Sequence, residues 1–140
     1  MKTIELRRHA QRQPDEDRLS PAGRELATRV GSTIGEPFDL VFVSPASRAS
    51  ETAALLAPDR TTTVVDGLGS DAEPGELANV VRNLFGELTD GSRALAVGHT
   101  PLIEKAVLGL TGREIASLGE CEGVRVVDEE GRYGIEEVRL

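Results

Sequence analysis

The sequence predicts a single-domain α/β protein of three layers (α/β/α), with a mainly parallel sheet that carries a C-terminal hairpin or antiparallel edge. Three observations lead there. Four strand-like runs, at about 2–7, 39–43, 61–66 and 93–97, alternate with four helical patterns, at about 21–34, 45–57, 75–88 and 101–110. After residue 110 the period becomes that of strands: Gly123-Val124-Arg125-Val126-Val127 and Tyr133-Gly134-Ile135-Glu136-Glu137-Val138 flank the turn-forming Asp128-Glu129-Glu130-Gly131-Arg132. No repeat, low-complexity tract or linker interrupts the chain, so residues 1–140 form one domain, able to bury roughly two-thirds of the surface that the unfolded chain exposes.

The first strand contains the alternating run Thr3-Ile4-Glu5-Leu6 and stops at Arg8-His9-Ala10; Leu26 and Val30 mark the helix that follows. In the third helical pattern Leu77, Val80, Val81, Leu84, Phe85 and Leu88 recur on one face, and Leu102, Ile103, Ala106, Val107 and Leu110 do so in the fourth, as core residues. Ser20-Pro21, Ser44-Pro45 and Thr100-Pro101 share one helix-starting device, a hydroxyl to cap free N–H groups and a proline in the first turn. The acidic stretch Asp15-Glu16-Asp17 is simplest as a solvated loop.

A net charge of −8 speaks against general nucleic-acid binding, which needs clustered Lys and Arg. The basic residues are unevenly placed, however. Arg7, Arg8, Arg12 and Arg18 crowd the first segment, and a local positive pocket suits a small anion; Arg7 and Arg12 fit equally well as surface residues. The single cysteine, Cys121, cannot form an internal bridge and is expected to be an inert thiol in a reducing compartment. With Glu5, Arg7 and Arg8 so early and no apolar segment of membrane-spanning length, a cytoplasmic protein without membrane association is expected. Scarce aromatic residues give no visible interface anchor, which favours a monomer.

The two histidines, His9 and His99, both sit where a strand stops, and ligands of open α/β sheets bind at the carboxyl ends of strands. Helix N-termini directed to the same edge would add anion-binding amides. Arg48, four residues after Ser44, can reach back over the strand end, so Arg8, His9, Arg48 and His99 can converge. Two histidines flanked by arginines make a poor home for a cation, so no metal and no other cofactor is expected. Gly67-Leu68-Gly69 alone carries little information about nucleotides.

Four segments, in order, resemble the histidine phosphatase (phosphoglycerate mutase-like) superfamily. Leu6-Arg7-Arg8-His9-Ala10 is similar to its leading Arg-His-Gly or Arg-His-Ala motif, and Leu19-Ser20-Pro21-Ala22-Gly23-Arg24 to its Leu-Thr-x-x-Gly-x segment. Ser44-Pro45-Ala46-Ser47-Arg48-Ala49-Ser50-Glu51-Thr52-Ala53 is similar to Ser-Pro-x-x-Arg-Ala-x-x-Thr-Ala, and Gly98-His99-Thr100-Pro101-Leu102 to the second-histidine motif. Within the superfamily the chain resembles the short branch of SixA-type phosphohistidine phosphatases. The resemblance implies a phosphoglycerate mutase-like fold and His9 as nucleophile, with Arg8, Arg48 and His99 around the transferring phosphoryl group. It implies a phosphate contact for Arg18, which otherwise fits a loop salt bridge with Asp15 or Asp17. The general acid of larger members would fall to Asp71 or Glu73, which helix capping and surface charge explain equally well. Gln11 stands where many relatives carry an acid, which turns attention from alcohol leaving groups to the labile P–N bond of phosphohistidine in proteins. A small-molecule phosphomonoesterase and a non-catalytic phosphate-binding module are the alternatives.

Overall fold

The computed structural model describes residues 1–73 and 75–140. Its strands are β1 (Lys2–Arg8), β2 (Leu40–Val43), β3 (Thr62–Val64), β4 (Arg93–Gly98), β5 (Gly123–Glu129) and β6 (Arg132–Val138). Its helices are α1 (Pro21–Thr33), α2 (Ser47–Leu56), α3 (Glu76–Glu87) and α4 (Leu102–Thr111), with a 3-10 turn at Asp66–Leu68 that periodicity did not announce. One sheet of order β3-β2-β4-β1-β5-β6 results. Its first four strands are parallel, and β5 and β6 add antiparallel to β1.

The near-continuous apolar runs of β2 and β4 fit strands covered on both faces. Val41, Val43, Leu95 and Val97 pack toward α1 and α2, while Phe42, Ala94, Ala96, Ile4 and Leu6 join Leu77, Val81, Phe85, Ile103 and Val107 on the α3 and α4 side. Val80 and Leu110 are only partly buried at the margin of that core. The hairpin is closed by Glu130 and Gly131 alone, both at positive φ (54° and 82°), as a two-residue turn compatible with strand twist requires. No helix among the described residues is long and apolar enough to cross a membrane.

Only one of the three expected helix starts holds in full. Ser20 Oγ accepts the Gly23 N–H and Pro21 opens α1. Helix α2 begins at Ser47, beyond Ser44-Pro45, and α4 begins at Leu102 with no side-chain cap. At α2 the cap comes from far away in sequence: Asp17 accepts the N–H groups of Ser47 (2.8 Å) and Arg48 (3.1 Å). Asp17 is thus docked rather than simply solvated, because it meets the positive end of a helix. Gly23 permits this arrangement. A Cβ there would lie 2.2 Å from the Gln11 carbonyl, so only glycine lets the segment after His9 pass over the first turn of α1.

Arg7 and Glu5 are buried, on the sheet face opposite Ile4 and Leu6. Glu5, the polar member of an alternating strand, is fully enclosed by Arg7 (2.7 Å), Arg125 (3.1 Å) and Arg93 (3.4 Å). Arg12 remains exposed.

Candidate active site

Strands β1 and β4 are parallel neighbours in which Arg8 pairs with Gly98, so the residues after them, His9 and His99, emerge side by side. The His9 N–H donates to the Gly98 carbonyl (3.2 Å), and the two rings meet edge-on with centroids 5.1 Å apart. Arg48 joins them from the first turn of α2, its Nε 3.3 Å from His9 Nε2.

These bonds define the form of His9. Arginine is always a donor, so Nε2 accepts from Arg48, and Nδ1 carries the proton that it donates to the Ala10 carbonyl at 2.6 Å. Burial lowers the His9 pKa below its ordinary 6.5, with the charges of Arg48, Arg8 and Arg12 acting in the same sense against the Ala10 carbonyl. His99 is lowered further, to about 4, by burial and then by His9 and Arg48, while Asp17 and Asp71 oppose the shift. Both imidazoles are neutral at pH 7.

A shell of residues holds these groups. Ser44 Oγ shares a 2.8 Å hydrogen bond with His99 Nε2 and accepts the Ala46 N–H, a role more specific than the helix cap its position suggested. Thr52 Oγ1 accepts the Ala10 N–H (3.0 Å) and donates to the Arg48 carbonyl, tying β1 to α2 beneath His9. Asp17 binds Arg48 Nη1 at 2.9 Å, and Arg8 Nη1 donates to the Leu118 carbonyl at 2.9 Å. The motif residues Ser44 and Thr52 could be singled out from the sequence, but nothing marked Asp17 or Leu118.

The remaining sequence candidates lie farther out. Arg18 is exposed and bound to Glu16 (2.5 Å), rather than to Asp15 or Asp17. Asp71 lines a cleft of about 300 Å³ with Asp17, Ser44, Arg48 and Gly69; Glu73 is exposed and outside that lining. A larger hollow of about 720 Å³, against the terminal hairpin, contains none of these side chains. Gln11 accepts the Ser20 hydroxyl (2.8 Å), which fastens its amide to the start of α1. The Cys121 thiol is fully buried, and its pKa is raised to about 11 by burial.

The shifts have a measurable consequence. Were His9 to act as a nucleophile it would have to be neutral, so kcat/KM, corrected for titration of the substrate, should be level above pH 6.5 and fall only below it. Stability follows the same sign. Between pH 6.5 and about 4 an unfolded chain binds a proton that folded His99 does not, so stability is full above that window and declines through it on acidification. Paired pH–rate and pH–denaturation profiles check both, and an acid limb centred above pH 6.5 would contradict the site as described.

The family model for the histidine phosphatase superfamily (branch 1) matches residues 3–68, from β1 to the 3-10 turn. No curated protein sequence matches the chain. Solved structures share its whole fold. A mutant phosphoserine phosphatase from Entamoeba histolytica in complex with phosphoserine is 18% identical with a TM-score of 0.82, over 99% of this chain and 97% of that one. The protein histidine phosphatase SixA complexed with tungstate is 21% identical with a TM-score of 0.74, over 98% and 96%. A mycobacterial glucosyl-3-phosphoglycerate phosphatase complexed with VO3 is 16% identical with a TM-score of 0.79, over 99% of each chain. Residues 3–68 thus match the histidine phosphatase superfamily model, and the chain along its whole length shares the phosphoglycerate mutase-like fold of these structures.

Proposed function

We propose that the chain is a metal-independent phosphatase that passes through a phosphohistidine on His9 and acts on phosphohistidine in proteins. The observation that carries the reading is the protonation pattern of His9: Nδ1–H is fixed on the Ala10 carbonyl and the Nε2 lone pair faces Arg48. In the first step Nε2 forms a bond to phosphorus as the bond from phosphorus to the leaving nitrogen or oxygen breaks, and the leaving group takes a proton from solvent water at the open cleft. In the second, water attacks phosphorus, the Nε2–P bond breaks, inorganic phosphate departs and neutral His9 returns. Arg8 and Arg48 supply fixed positive charge to the equatorial oxygens, and His99, held by Ser44, fills the remaining side of the pocket.

Two features favour a protein-borne P–N bond. Gln11 cannot deliver a proton, and an imidazole leaving group needs less help than an alkoxide. Asp71 is exposed and Asp17 half-exposed, so the cleft beside Arg48 reaches the surface, where a side chain of another protein can enter. Arg18 would meet such a partner's phosphoryl group only after leaving Glu16. The same reading has the protein act as a monomer in the cytoplasm, where a reduced thiol such as Cys121 is ordinary. Asp71 favours a second reading, a small-molecule phosphomonoesterase in which its carboxyl protonates the leaving oxygen.

After brief exposure to phosphoramidate at neutral or alkaline pH, intact mass should show one acid-labile phosphoryl group on the wild type and none on His9→Ala. An equal adduct on both would overturn the role of His9. A binding module would consume no donor. Turnover of a phosphohistidine peptide should exceed that of sugar phosphates, and the opposite preference would move the reading to the phosphomonoesterase.

A further inference from the structure

Arg8 is held by a segment with no regular structure. Its Nη1 donates to the Leu118 carbonyl (2.9 Å), and its backbone N–H and carbonyl bond to Glu122 and Cys121. Leu118 lies in the connection between α4 and β5, and its own N–H donates to Glu104 Oε2 at 3.2 Å. Glu104 sits in the first turn of α4, the helix that begins just after His99. The backbone of one residue, Leu118, therefore links a carboxylate on the His99 side of the site, bound at its N–H, to the guanidinium on the His9 side, bound at its carbonyl.

Two details separate this contact from an ordinary helix-end charge. An acidic residue in a first turn is favoured by the helix dipole and commonly binds an N–H of its own helix. The bond recorded for Glu104 instead goes to Leu118, fourteen residues away and 2% exposed. Its second oxygen, Oε1, is shut off from solvent with no partner among the described residues. An unpartnered buried carboxylate oxygen is costly, and a same-shape apolar side chain would avoid that cost. Such a cost is expected where a group fixes a functional geometry.

We infer that Glu104 is a positioning residue for phosphoryl binding: by anchoring the Leu118 backbone it sets where the Arg8 guanidinium stands. The inference rests on the phosphatase reading, because it takes Arg8 to hold phosphoryl oxygens. Anchored at its N–H by Glu104, the Leu118 backbone holds its carbonyl in place, and this fixes Arg8 before substrate arrives. Gln at 104 keeps an acceptor for the Leu118 N–H. Met keeps the shape and loses the acceptor.

The test is the affinity for inorganic phosphate, measured by titration calorimetry, beside thermal unfolding, for the wild type, Glu104→Gln, Glu104→Met, Arg8→Ala and the Arg8→Ala/Glu104→Met double variant. Glu104→Gln should bind within about threefold of the wild type, and Glu104→Met roughly tenfold more weakly, as expected for a misplaced binding group. Its melting temperature should stay close to that of the wild type, because loss of one hydrogen bond is offset by loss of the stranded oxygen. The double variant should bind no more weakly than Arg8→Ala alone. Wild-type affinity in Glu104→Met, losses that multiply in the double variant, or a loss that only follows a fall in melting temperature would overturn the inference. A wild type that binds no phosphate would overturn the phosphatase reading and the inference with it, whereas normal binding by wild type and Glu104→Met overturns the inference alone.

Discussion

His9→Asn is expected to lower turnover of any substrate by at least ~10,000-fold, the scale on which loss of a catalytic nucleophile acts. No neighbour can take its place. His99 is buried, with Nε2 engaged by Ser44, and the one thiol, Cys121, is inaccessible and keeps its proton to about pH 11. Asparagine keeps a polar group near the Ala10 carbonyl, so the fold and the arginines should survive and phosphate should still bind. Steady-state assay of purified His9→Asn, with phosphate affinity as the control for an intact pocket, checks this. Residual turnover within a hundredfold of the wild type would mean that water attacks the substrate directly and that His9 only positions it. By contrast Arg48→Ala removes charge without removing the nucleophile, and a smaller loss follows.

How much of this site was legible depended on the distance between cause and effect along the chain. His9 and His99 each follow an apolar strand, and strand ends are readable from a dozen residues, so their meeting at the carboxyl edge needed only the parallel pairing of β1 with β4. Arg48 lay one helical turn beyond a strand and was equally open to reading. What the sequence hid were side chains whose partners are remote. Asp17 looked like part of a solvated acidic loop, yet it caps α2 thirty residues on and steadies Arg48. Ser44 looked like a cap, but its hydroxyl serves a histidine 55 residues away. Polar side chains with several possible partners carry no periodic signal, whereas apolar faces do, which is why the helices and strands were placed to within a few residues. Arg18 illustrates the same limit: the loop pair it makes is with Glu16, a choice that depends on the fold of the 11–20 segment.

Glu5 is the clearest case of a residue whose weight only the tertiary structure reveals, and Glu5→Gln should cost about 3–5 kcal/mol of stability. Its carboxylate is fully buried between three guanidinium groups, two of them largely buried, with Arg7 at 2.7 Å and a side-chain exposure of 5%. The other partners of these arginines are mostly neutral: Arg7 reaches the Cys121 carbonyl, and Arg93 binds the Glu36 carbonyl and stacks on Phe38. None of those can balance charge, and Glu136, the second carboxylate on Arg125, is 70% exposed. Neutralising Glu5 alone therefore leaves like charges facing one another in a region that water reaches poorly. Against a typical total of about 5–15 kcal/mol, the loss should lower the melting temperature by roughly 10–17 °C. Glu136→Ala, which breaks a surface pair with the same arginine, should change stability by less than about 1 kcal/mol. Urea unfolding of the two variants separates these expectations, and near-equal effects would mean that solvent, not Glu5, balances the arginines. Because Arg7 adjoins Arg8 and binds the Cys121 carbonyl beside it, Glu5→Gln should also weaken phosphate binding, whereas Glu136→Ala should not.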